Sequence, residues 1–117
     1  QLDLPILSDI FERGMNAVIS RGKARPGDKT MLDALVPAVE SLKKSVQQER
    51  SLLEALESAA AAAENGMEQT KGFIAKFGRA KSLGERAIGH QDPGATSVWL
   101  ILSAMAEWMK KRERIVQ

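Results

Sequence analysis

The sequence contains no cysteine, which excludes a disulfide framework and any metal site built on thiolates. Its single histidine, His90, cannot form a metal site alone and has no neighbouring nucleophile to complete a catalytic set. Aromatic residues are also scarce, with three Phe, two Trp and no Tyr among 117 residues. A core must therefore consist mainly of Leu, Ile, Val, Met and Ala, which favours packed helices over a β-sandwich.

A strong excess of either charge is missing as well. The net charge is +2 and the two signs are mixed along the chain, so we expect no nucleic-acid partner. No apolar run approaches the length needed to span a membrane, and residues 1–5 do not resemble a signal peptide. These features predict no membrane association, and they are compatible with a cytoplasmic location.

Apolar residues recur at helical spacing through most of the chain, and no segment shows a credible strand pattern. The pattern predicts helices over residues 4–20, from near Thr30, from Ser51 onward, and over residues 93 to about 112. Asp3 can cap the first helix, and Ser51 with Glu54 forms a capping box. The fold class is therefore predicted to be an all-α, antiparallel up-and-down bundle or barrel in a single domain over residues 1–117.

Glycine and proline mark the expected breaks between these helices. Gly22 suits a left-handed residue at the end of the first helix, and Pro37 should kink the second. Asn65 and Gly66 either end the third helix or only bend it. The run of alanines before them favours helix, and its small side chains permit either close contact with a neighbouring helix or room for a bound molecule.

The stretch over residues 78–95 is unusually rich in special positions for a connection between helices. It reads GRAKSLGERAIGHQDPGA, with four glycines, two arginines and the single histidine. Glycine allows a ligand to approach the backbone, and arginine offers donors that match a phosphate. Asp92 and Pro93 form a strong helix start. The residues alone thus indicate an anion- or nucleotide-binding loop that ends at a helix N-terminus.

This stretch resembles the signature of the nucleotide-binding (L) subunit or domain of dihydroxyacetone kinases. A second block over residues 27–35, GDKTMLDAL, is similar to that family's GDKTM-(L/V)-DAL segment. The two blocks occur in the family's order, and the resemblance covers nearly the whole chain. It implies an eight-helix barrel of which this chain supplies roughly the last five helices, as the C-terminal part of the L domain. Together with the absence of an initiating Met, the resemblance predicts a further N-terminal part.

The resemblance also implies which residues contact a nucleotide. Glycine would let a flat adenine approach the backbone, methionine would offer an adaptable apolar surface, and arginine would bind phosphate. The residues that match are Gly22, Met31, Arg79, Asp92, Pro93 and Gly94. Without the resemblance, Asp92 and Pro93 would be read as a helix cap alone, and Arg79 as the partner of a nearby acid.

The expected cofactors are ADP or ATP with magnesium. The family holds magnesium with an aspartate cluster that precedes these motifs, so we assign no catalytic residue and no metal ligand within this chain. The implied partners are the substrate-binding K subunit or domain and, in one branch, a phosphotransferase-system subunit. The implied activity is phosphoryl transfer to a small ketose of the triose type. The alternative is a non-catalytic helical interaction or regulatory module that keeps the same fold.

Overall fold

Four α-helices account for most of the chain in a computed structural model that describes residues 3–22, 30–72 and 92–116. They are α1 (Leu4–Arg21), α2 (Leu32–Gln47), α3 (Leu52–Gln69) and α4 (Pro93–Val116), with a short 3₁₀ turn at Thr70–Gly72 after α3. No strand occurs within these ranges. The predicted all-α fold class is confirmed.

The predicted helix starts are found where the capping residues placed them. The Asp3 carboxylate accepts the Ile6 N–H at 3.0 Å at the start of α1. At the start of α3, Ser51 Oγ accepts the Glu54 N–H at 3.1 Å, and Glu54 Oε1 accepts the Ser51 N–H at 3.3 Å. Each bond satisfies an amide that the helix itself cannot pair.

Two details of the helix ends differ from expectation. Gly22 ends α1 in an extended conformation, with φ −108°, rather than a left-handed one, and glycine is compatible with both. α4 runs beyond Arg112 to Val116, since lysine, arginine and glutamate sustain a helix well. Of the two outcomes left open at Asn65 and Gly66, α3 does not end there but continues to Gln69.

The helices pack as antiparallel neighbours, α1 on α2, α2 on α3, and α3 on α4. Lys43 Nζ of α2 donates to Glu12 Oε2 of α1 at 2.6 Å, and this hydrogen bond raises the pKa of Lys43. Because neighbouring helices are antiparallel, one end of the bundle contains the starts of α2 and α4 together with the ends of α1 and α3. We call it the motif end.

The core is formed by leucine, valine and small residues. Leu32, Leu42 and Leu102 are fully buried, or nearly so, and Ala55, Ala59 and Ala63 of α3 have no exposed surface. These alanines are part of the core, where α3 packs against both α2 and α4.

An open apolar groove separates α1 from α4. It consists of two hollows of ≈ 330 and ≈ 300 Å³, the first toward the motif end and the second toward the other end. The first is lined by Ile10, Phe11, Gly14, Met15, Val18, Met31, Leu35, Val98 and Ile101. The second is lined by Leu7, Leu52, Leu56, Ala104, Met105, Trp108 and Met109. Ile101 and Trp108 keep 57% and 59% of their surface exposed along it.

None of the described helices is long and apolar enough to cross a membrane.

Candidate functional site

The two sequence blocks meet at the motif end of the bundle. A Cβ atom built on Gly94, at the start of α4, would lie 3.2 Å from Met31 Cβ and 3.4 Å from Met31 N. These contacts are tighter than most Cβ atoms make, so α4 can approach Met31 this closely because residue 94 is glycine. The structure thus brings together Met31 and Gly94, two predicted site residues that are far apart in sequence.

Asp92 caps α4 as the sequence predicts. Its Oδ2 accepts the Ala95 N–H at 2.9 Å, and its backbone carbonyl accepts the Thr96 N–H at 2.9 Å. Pro93 is the first helical residue, where its missing N–H costs nothing. Asp92 is 6% exposed, so its carboxylate is held in place by the fold.

The start of α2 is organised by a similar exchange. Thr30 Oγ1 accepts the Leu32 N–H at 3.2 Å, and Asp33 Oδ2 accepts the Thr30 N–H at 3.0 Å. Thr30 therefore bonds the start of α2 through its side chain and its N–H, while Met31 occupies the N-cap position without a side-chain bond to the helix. Met31 lies between the two partners, half-buried beside Gly94.

Of the other residues that the sequence analysis singled out, the structure describes Gly22 but not Arg79 or His90. Gly22 is exposed and ends α1 at the motif end, next to the turn that contains Val18. Val18 and Met31 line the same hollow, so Gly22 lies on the same side of the bundle as Met31. Arg79 and His90 lie outside the described residues.

Helix dipoles and carboxylates meet at the motif end. The N-termini of α2 and α4 lie side by side there, and each carries the partial positive charge of a helix start. The Asp33 and Asp92 carboxylates offset this charge, because each accepts a backbone N–H at one of the two starts. Met31 adds an apolar, polarizable side chain at the same place.

The described residues do not fit a magnesium site. No group of three acidic, histidine or cysteine side chains in the described ranges could hold a metal ion. The two carboxylates nearest the site, Asp33 and Asp92, each accept a backbone N–H at a helix start. A magnesium ion needs several oxygen ligands grouped in space, and these two do not supply them.

Sequence reasoning missed Thr70. Its hydroxyl accepts the Asp92 N–H at 2.8 Å, and its side chain is completely buried. The available signal was a hydroxyl at a core position, since a buried polar group needs a hydrogen-bond partner.

Comparison with known proteins gives a family for this arrangement. Residues 1–107 match the model of the DAK2 domain. The chain belongs to the DAK2 domain family. This confirms the resemblance to the dihydroxyacetone kinase L domain.

Several relatives of the chain are kinases or kinase subunits. The chain is 52% identical over 105 residues to the ADP-binding subunit DhaL of the PEP-dependent dihydroxyacetone kinase of Escherichia coli. This alignment covers 90% of the chain and 50% of that subunit. It is 45% identical over 105 residues to the DhaL subunit of kinase 2 of Listeria innocua, covering 90% of the chain and 48% of that subunit. It is 36% identical over 110 residues to the triokinase/FMN cyclase of Rattus norvegicus, covering 94% of the chain and 19% of that protein. The chain spans about half the length of the DhaL subunits it matches.

Proposed function

We propose that this chain is the C-terminal part of the nucleotide-binding L domain of a dihydroxyacetone-type kinase, and that it binds ADP or ATP at the motif end. The observation that carries the proposal is the contact between Met31 and Gly94. It joins two helix starts, one from each block of the family resemblance, in a chain that is 52% identical to an ADP-binding subunit.

The proposed roles follow from the chemistry of each residue. Met31 would pack against the adenine ring, and Gly22 would let the ring approach the backbone. The backbone around Asp92, Pro93 and Gly94 would present polar groups to the base or ribose. Arg79 would bind a phosphate through charge-assisted hydrogen bonds.

The reaction of the complete protein would be phosphoryl transfer to a small ketose of the triose type. This chain would contribute by positioning the nucleotide and by offsetting phosphate charge, without a covalent residue of its own. Magnesium would accompany the nucleotide, and its carboxylate ligands would come from outside this chain. The partner would be a substrate-binding K subunit or domain, with a phosphotransferase-system subunit in the PEP-dependent branch.

The open groove supports the assignment of this chain to part of a larger domain. The DhaL subunits that the chain matches are about twice as long as the chain. The faces of α1 and α4 that line the groove are apolar. We propose that the remaining helices of the same L domain cover this groove. Burial of such surface contributes roughly 25 cal/mol for each Å² removed from water.

Isothermal titration calorimetry of Mg-ADP with the complete protein tests the proposal. Saturable binding with one nucleotide per chain is expected. A protein that is folded by circular dichroism but gives no binding heat with ADP or ATP at several temperatures would contradict it.

The alternative is a non-catalytic interaction module that keeps the fold. The observation in its favour is that the described residues supply no metal cluster. An assay of ketose phosphorylation with the complete protein and its K partner separates the two functions. The kinase predicts phosphorylated product that depends on this chain, whereas the module predicts none.

A further inference from the structure

Thr70 links the end of α3 to the start of α4 through one buried hydroxyl. Its Oγ1 donates to the Met67 carbonyl and accepts the Asp92 N–H at 2.8 Å, across 22 positions in sequence. The side chain has 0% exposure, so water does not compete for these bonds. A hydroxyl has one proton to donate. Because Thr70 donates this proton to the Met67 carbonyl, a lone pair of the hydroxyl oxygen is left to accept the Asp92 N–H.

The Asp92 N–H is the amide that the helix cannot satisfy by itself. It precedes α4, and a buried amide without a partner is costly. The other groups of Asp92 are engaged within α4, because Oδ2 accepts the Ala95 N–H and the carbonyl accepts the Thr96 N–H. Among these three contacts, the bond to Thr70 is the one that reaches another helix.

The start of α4 lies close against Met31. At Gly94 a Cβ atom would lie 3.1 Å from Asp92 Oδ2 and 3.2 Å from Met31 Cβ. A displacement of Asp92 by a few tenths of an ångström would therefore change the spacing between Gly94 and Met31. The Thr70 hydroxyl sets the position of Asp92, and Asp92 is two residues from Gly94.

We propose that Thr70 is a positioning residue for the nucleotide, and this inference rests on the proposed nucleotide site at the motif end. The hydroxyl fixes the start of α4 so that its backbone and Met31 together form the binding surface. Thr70 acts through Asp92 and needs no contact with the nucleotide.

Three variants of the complete protein test this role by Mg-ADP calorimetry and melting temperature. Thr70→Val keeps the shape but removes the hydroxyl, and we expect the ADP Kd to rise about five- to tenfold. Thr70→Ser keeps the hydroxyl and should stay within about twofold of the wild type. Ser45→Ala is the matched control, because Ser45 is 3% exposed and lies near the far end of α2. It should leave the Kd unchanged, whatever its effect on the melting temperature.

The inference is overturned if Thr70→Val binds ADP within twofold of the wild type, whatever its melting temperature, because the hydroxyl would then be structural. It is also overturned if Thr70→Ser loses as much affinity as Thr70→Val. If Thr70→Val does not fold, Thr70→Ala measured at reduced temperature provides the same comparison. Absence of ADP binding by the wild type would instead reject the proposed function itself, so the two failures are distinguishable.

Discussion

A Cβ atom placed on Gly66 of α3 would lie 1.9 Å from the backbone carbonyl oxygen of Asp33 in α2. No side chain fits at that distance, so the two helices approach through a glycine. Pro37, four residues after Asp33, has no N–H to donate to this carbonyl. The contact lies near the start of α2, so it also fixes the helix that presents Met31.

Gly66→Ala is expected to destabilise the complete protein, although alanine is the better helix former. The methyl group would force α2 and α3 apart, at a cost of about 3 kcal/mol in the free energy of unfolding. Urea denaturation measures this change. The matched control is Gly72→Ala in the exposed turn after α3, where a Cβ meets nothing within 4 Å.

The control should stabilise the protein by about 0.5–1 kcal/mol, since it removes chain entropy without a clash. Equal effects of the two substitutions would show that the close contact at Gly66 is absent.

Substitutions at Asp92 separate capping from direct ligand contact. Asp92→Ala should lower the unfolding free energy by about 1 kcal/mol, and Asp92→Asn and Asp92→Ser should lower it very little, because both residues cap well. We expect Asp92→Asn also to keep its affinity for Mg-ADP, since the carboxylate is buried and accepts the Ala95 N–H. A selective loss of affinity in Asp92→Asn would instead show that the carboxylate itself contacts the nucleotide.

Arg79→Ala tests the phosphate assignment that the family resemblance implies. Loss of a charge-assisted bond of about 1.5–3 kcal/mol should weaken ADP binding on the order of ten- to a hundredfold. The melting temperature should stay close to that of the wild type. Arg112→Ala is the control, because Arg112 stacks over Trp108 with its guanidinium carbon 5.4 Å from the ring centroid, near the other end of the bundle. A collapse in melting temperature with unchanged affinity would make Arg79 structural.

The apolar groove gives a test of the domain assignment. Ile101 lines the groove with 57% of its surface exposed, whereas Leu100 is 53% exposed and does not line either hollow. If helices of the same domain cover the groove, Ile101→Ser should destabilise the complete protein by about 2 kcal/mol. Leu100→Ser should change its stability by less than about 0.5 kcal/mol. Similar small effects at both positions would mean that the groove stays open.

Local chemistry made the helix starts predictable. Asp3, Ser51 and Asp92 each bond an amide three residues away, so the sequence nearby is sufficient. The role of Gly66 could not be predicted in this way, because it depends on which backbone packs against Gly66. That backbone belongs to α2, which is distant in sequence. The Thr70 bond was missed for the same reason, since its partner is 22 positions away.

The residues of the site could be predicted from the sequence, but their contacts across helices could not. The family blocks indicated Met31 and Gly94 separately, but their contact emerges only when α2 and α4 are placed side by side. The extended backbone of Gly22 could not be read from residue type, because glycine is compatible with both conformations.

Calorimetric titration of Mg-ADP into the complete protein and its Gly94→Val variant tests the central claim most directly. A branched side chain at position 94 would collide with Met31 and obstruct the surface between the two helix starts. We predict saturable binding to the wild type, affinity at least about tenfold lower in Gly94→Val, and unchanged affinity in the Ser45→Ala control at the far end of α2. Equal affinity in the wild type and a folded Gly94→Val variant would contradict a nucleotide site where Met31 meets Gly94.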